Sequence, residues 1–143
     1  MKRAMIAAMI ASTLMAGLAA ASPPAKAKGG DAAAGSARTM DAPYLAVPVV
    51  RDGQLVNYLF VSVRFEIAQG VDLWRTRERA HFLRDALVRA SHANDLASAD
   101  SPDTLNQARA IEVFRTAAAR VLGERAVSGV SIVSSYSSRG SGT

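Results

Sequence analysis

Apolar and polar positions alternate most regularly between residues 44 and 67. From Leu55 onward every second residue is apolar, through Leu59, Val61, Val63, Phe65 and Ile67, with Asn57 the one exception. A period of two places these side chains on one side of a β-strand, residues 55–68, and so long an apolar side needs a cover. Residues 44–50 read as a preceding strand, and Asp52-Gly53 suits a tight turn with positive φ. Pro48 has no amide hydrogen for a ladder, so the first strand is expected at a sheet edge or a bulge. On the other side of the second strand, Val56, Tyr58 and Phe60 are apolar, whereas Ser62, Arg64 and Glu66 are polar. The apolar end of that side is expected either under a helix or against a partner.

Past the strand the period becomes helical. Gly70 and Asp72 end the extended run, and Asp72 can cap a helix over residues 72–92. Ala80, Leu83, Leu87 and Ala90 recur at helical spacing as its inner stripe, flanked by Trp74 and Phe82. Leu96 is expected to plug the connection that follows. Ser101-Pro102-Asp103 carries a start signal for a second helix, with Ser101 as cap and Pro102 in the first helical position. Leu105, Ala108, Ile111, Ala118 and Leu122 would form its inner stripe, and Gly123 its left-handed stop. Residues 126–137 alternate again and predict a third strand, with Val130, Ile132 and Tyr136 on one side. The predicted fold class is therefore α+β: a small β-β-α-α-β domain, with an antiparallel three-stranded sheet packed against two helices.

The ends of the chain read differently. Met1-Lys2-Arg3 precedes an uncharged, alanine-rich stretch, and Ala19-Ala20-Ala21 fits the small-x-small rule for cleavage before Ser22. Residues 1–21 are expected to be an export signal, or alternatively an uncleaved anchor with the domain on the far side of an inner membrane. Residues 22–42, poor in periodic apolar positions, are expected to form a flexible linker, residues 43–137 the domain, and residues 138–143 a frayed polar tail. The expected location is the periplasm.

Composition removes several kinds of chemistry. There is no cysteine among the 143 residues, so disulfides, thiolate metal sites and a cysteine nucleophile are excluded. His81 and His92 are too far apart along one helix to chelate a metal together. No G-x-S-x-G elbow, glycine-rich phosphate loop or paired-carboxylate motif occurs, and no enzyme, cofactor or metal site is expected. The net charge of +5, or +3 without a leader that carries Lys2 and Arg3, is mostly arginine. Arg75, Arg77, Arg79, Arg84 and Arg89 crowd the first helix, with Glu78 and Asp85 as local partners. No basic stripe interleaved with exposed aromatics points to nucleic acid. Contact with a protein partner is expected through Tyr58, Phe60 and Arg64 on the strand and through Arg75 and Arg79 on the helix, and membrane contact only if the leader is retained.

The segment Tyr58-Leu59-Phe60-Val61-Ser62-Val63-Arg64-Phe65-Glu66-Ile67 resembles the central strand motif of the flagellar basal-body-associated FliL family. Arg84-Asp85-Ala86-Leu87-Val88 is similar to that family's first helix, and Ala118-Ala119-Arg120-Val121-Leu122-Gly123-Glu124 followed by residues 127–136 to its closing unit. The resemblance covers about residues 44–137. It implies a stomatin-like, FliL-like fold outside the inner membrane, without catalysis, assembling into rings around the flagellar stator. Members of that family keep a firm transmembrane anchor, whereas the leader here reads as cleavable.

Three functional expectations follow. One is a FliL-like interaction domain that associates with itself or with an envelope or flagellar motor complex, including stator components. A second is a periplasmic binding or chaperone-like module unrelated to flagella, which an exposed apolar patch near Tyr58 would favour. The third, a small hydrolase, would require a histidine, a carboxylate and a serine gathered in a pocket.

Overall fold

The computed structural model describes residues 38–140. In chain order these residues form β1 (Thr39–Arg51), β2 (Gln54–Ile67), α1 (Leu73–Glu78), α2 (Ala80–Ala93), α3 (Gln107–Leu122) and β3 (Val127–Ser137). The three strands make one antiparallel sheet in the order β1-β2-β3. This is the α+β arrangement expected from the pattern. The expected signal, residues 1–21, lies outside the described residues, as do residues 22–37 and 141–143.

The hairpin forms as the turn residues dictate. Asp52 at φ 51° and Gly53 at φ 75° both take left-handed backbone, the mirror-image turn whose twist matches the strands it joins. Arg51 and Gln54 close it as a pair. β1 begins at Thr39, ahead of the expected first strand, so the last residues assigned to a linker are in the sheet, where Met40 and Ala42 are buried. Between Ala42 and Leu45 the strand carries a bulge at which Tyr44 adopts φ 53°. The extra residue keeps Ala42 and Leu45 on the same side although they are three apart.

Inside the hairpin, Leu45, Val47, Val49, Leu59, Val61, Val63, Phe65 and Ile67 are buried on one side of the sheet. Leu55 is not among them. A second irregularity, between Val49 and Val50, pairs Val49 with Asn57 but Val50 with Leu55, leaving Val56 as the extra residue. The phase slips there, and Leu55 and Val50 are both exposed.

α2 packs against β1 and α3 against β3, both over the buried side of the sheet. α2 contributes Leu83 and Leu87, α3 contributes Ala110, Phe114, Ala117 and Ala118, and Leu96, Ala97 and Leu105 fill the ends. Phe114 is fully buried, while Ala108 of the expected stripe is exposed. The chain reverses between the helices: the Arg79 guanidinium before α2 donates to the Val121 carbonyl near the end of α3, at 2.8 Å, and Asn106 N–H before α3 donates to Leu96 C=O.

Two helix boundaries differ from the expected ones. The first helix is broken at Arg79 (φ −88°, ψ 6°), which ends α1 and starts α2 without a side-chain cap. Asp72 caps α1 as expected, its carboxylate accepting from the amides of Trp74 and Arg75. Trp74 and Phe82, expected on the flanks of the buried stripe, are largely exposed. Ser101-Pro102-Asp103 begins no helix. Ser101 Oγ accepts from Asp103 N–H in a turn, Ala97 bridges to Leu105, and α3 starts four residues beyond Asp103 behind Asn106, whose side chain accepts from Arg109 N–H.

Candidate interaction surface

The helices cover one side of the sheet and leave the other open, and Tyr58, Phe60 and Arg64 of β2 lie on the open side. Antiparallel pairing decides their neighbours. Phe60 stands between Ala46 on β1 and Tyr136 on β3, and Tyr58 stands opposite Pro48. Tyr58 and Phe60 are each 37% exposed and Tyr136 44%, in a sheet whose opposite side is closed. Val56 and Val50, also exposed, extend the apolar area toward the hairpin turn.

Tyr136 was expected to share a side with Val130 and Ile132. The β2–β3 register explains why it does not. Val63 pairs with Ile132 but Ser62 pairs with Ser134, so Val133 is an inserted residue and the alternation reverses beyond it. After the slip Ser135 and Ser137 turn inward and are buried, and Tyr136 joins Phe60 outside.

The other end of the open side is polar. Asp41 and Arg64, directly opposite across β1 and β2, form a two-pronged ion pair at 2.8 and 2.9 Å. The hydrogen bonds from Arg64, aided by its charge and opposed by slight burial, hold the Asp41 carboxyl below its ordinary range. The same contact pushes the guanidinium's own value up. Glu66 continues the polar end beside Gly129. The open side thus grades from aromatic to ionic along β2.

Beneath the aromatic end lies a buried polar clasp. Asn57, 4% exposed, donates from Nδ2 to Pro102 C=O (2.9 Å), Asp103 Oδ1 (3.0 Å) and Ser137 Oγ (2.9 Å). Its Oδ1 accepts from Tyr58 N–H and from Ser138 Oγ–H. Ser137 donates to Asp103, and Arg139 grips the same carboxylate at 3.1 and 2.8 Å. The Ser137 hydrogen bond, with those from Arg139, holds Asp103 below the ordinary carboxylate range against a small opposing effect of burial. Ser138 and Arg139 therefore belong to the fold and not to a frayed tail. The hydrogen-bond partners of Ser137 are Asn57, Asp103 and the Arg139 amide, with no histidine among them, so the set expected of a hydrolase is not gathered here.

Arg75 and Arg79 are elsewhere. They line a shallow cleft at α1 with Asp72, Glu78 and Leu122, and Arg79 is already engaged with Val121 C=O. The five expected contact residues accordingly divide into a sheet set and a helix-end set. His81 lies beside Phe82 with ring centroids 4.0 Å apart and the ring planes tilted by 41°. Among the described residues, no three histidine, cysteine or carboxylate side chains converge on a metal position, and no helix is long and apolar enough to cross a membrane. No family model, curated protein or solved structure matches this chain.

Proposed function

We propose that this is a non-catalytic interaction domain that holds a protein partner on the open side of its sheet. The observation that carries the reading is the row Tyr58, Phe60 and Tyr136, three aromatic side chains left part-exposed on the side of the sheet away from the helices. Exposed sheet sides of antiparallel proteins are ordinarily polar. Tyrosine and phenylalanine in a contiguous set offer large contact area at low entropic cost, and such residues anchor interfaces. The adjoining Arg64–Asp41 pair supplies an ionic rim that fixes orientation more than it adds affinity.

Two placements of such a domain remain in play, both exported. The apolar area around Tyr58 favours a periplasmic binding or chaperone-like module unrelated to flagella. The β-β-α-α-β order and the strand resemblance support a FliL-like domain that associates with itself or with an envelope or motor complex. Site-specific photo-crosslinking in the native host separates them. A benzophenone side chain at Phe60 or Tyr136 should capture a protein, and the same group at Arg115 on the exposed flank of α3 should not. Stator or basal-body proteins in the product would support the FliL-like placement, a second copy of the chain self-association, and other envelope proteins the binding module. Equal capture from all three positions would refute the assignment of the surface.

A further inference from the structure

The helix layer carries a second surface, unrelated to the sheet side described above. Between α2 and α3 runs a groove of about 710 Å³. Its floor is made of small side chains, Ala86, Ala90 and Ala93 from α2 with Val113 and Ala117 from α3. Arg89, Arg109 and Arg120 stand along its rim against the single carboxylate of Glu112. Arg89 is partly neutralised by Asp85 at 2.6 Å, one turn away. Arg109 and Arg120 make no ion pair among the described residues, and both are exposed.

The spacing of these charges selects among ligands. Arg109 and Arg120 are eleven residues apart on one helix, which at about 1.5 Å per residue is about 16 Å. That is the separation of the backbones, so a single small anion engages both only if the two long side chains are drawn together along the helix. An elongated occupant can meet both, and the alanine floor lets a helical backbone approach closely, as small residues do at helix crossings. Glu112 lies one turn beyond Arg109, so the rim runs positive, negative, positive. We infer that the α2–α3 groove receives an amphipathic helix of a protein partner, bearing acidic residues about three turns apart with a basic residue between them. Exposed ion pairs are individually weak, so the apolar floor supplies the hold and the arginines set direction and register.

The test uses the full chain, isotope-labelled, and a cross-linked helical peptide of about sixteen residues. The peptide carries an alanine-leucine stripe, two glutamates eleven apart and a lysine between them. A control peptide has lysines in place of the glutamates. The acidic peptide is expected to shift the amide signals of Ala86, Ala90, Ala93, Val113 and Ala117 and to leave the Tyr58–Phe60 strand unchanged. The double variant Arg109→Glu, Arg120→Glu should weaken binding roughly tenfold or more, as loss of two exposed charge pairs implies. Ala90→Trp, which fills the groove without altering charge, should abolish binding while circular dichroism shows the fold retained. Equal binding of the lysine peptide, shifts on the open sheet side, or no shift at about millimolar peptide would overturn the inference. So would decanoate shifting the groove amides where the peptide does not, which would assign the groove to an anionic amphiphile.

Discussion

Asn57 is the position where the apolar pattern and the structure make opposite predictions. By alternation alone Asn57→Leu completes the apolar side of β2 and should stabilise the domain. The clasp says otherwise. Asn57 offers two N–H groups to three acceptors and accepts from two donors, all within 2.6–3.0 Å. Asp103 keeps Ser137 and Arg139 when the amide is lost, and the Pro102 carbonyl is near enough to the surface to find water. The Tyr58 amide loses more, because its other acceptor, Ser138 Oγ, is 3.4 Å away, whereas the Ser137 hydroxyl keeps Asp103 and the Arg139 amide. At about 1 kcal/mol net per hydrogen bond, with a further penalty where a buried group is left unpaired, Asn57→Ala should cost on the order of 2–4 kcal/mol. For a domain of this size that is a fall in Tm of on the order of 10–20 °C. Asn57→Leu should be no better, because it places a methyl pair against a carboxylate that needs donors. Urea titrations of the three proteins, followed by circular dichroism, measure this directly. An Asn57→Leu protein as stable as the parent, or more stable, would refute the clasp and leave simple alternation as the correct account of β2.

Other consequences can be checked with the same preparations. Leu87→Ala removes a fully buried side chain of α2 above the sheet, and should cost about 2–5 kcal/mol by the same titration. Asp103 and Asp41 both have lowered folded-state values, so the stability each adds is complete above the ordinary carboxylate range and is lost as pH falls through the lowered value. Asp103→Asn should therefore flatten the acid limb of the stability–pH curve. Arg64→Glu faces Asp41 and should leave the fold intact in circular dichroism while weakening capture through a crosslinker at Phe60. Gly53→Ala puts a side chain at φ 75° in the hairpin turn, and should cost about 1–2 kcal/mol, read from the denaturation midpoint.

The elements legible in the sequence were those whose signals are local. Asp52-Gly53 needs positive φ at two successive residues, and nothing beyond four residues decides it. The alternation of Leu59 through Ile67 survives intact because the extra residues opposite it belong to β1 and β3 and not to β2. The bulges were not legible. The extra residues at Tyr44, Val56, Ser128 and Val133 are each fixed by pairing across strands, and each reverses the phase along its own strand. Leu55 and Tyr136 were misplaced for that one reason. Ser-Pro-Asp failed for another: the residues that start a helix also close a turn, and here Asp103 is held by Asn57, Ser137 and Arg139 from distant parts of the chain. Arg79 interrupts the first helix with neither glycine nor proline to announce it. Of the candidate contact residues, Tyr58, Phe60 and Arg64 could be grouped because they share one strand and one phase. Tyr136 could not join them without the register.

The clasp and the open side are parts of one construction. Tyr58 follows Asn57 directly, its amide bonded to the Asn57 side chain, and its carbonyl accepts from Ser138 N–H at 2.8 Å. The aromatic end of β2 is thus fixed on the β3 side by backbone and side chain together, and Phe60 is held between paired strands on both sides. At the other end the Arg64–Asp41 pair ties β2 to the edge strand β1. A surface ordered in this way loses little freedom when a partner arrives, and that loss is a main cost of association. A contact patch on a loose loop would require ordering first. Rigid support at both ends of an apolar sheet side is what the proposed interface would require, and on that proposal the buried polar residues would serve the surface as well as the stability of the core.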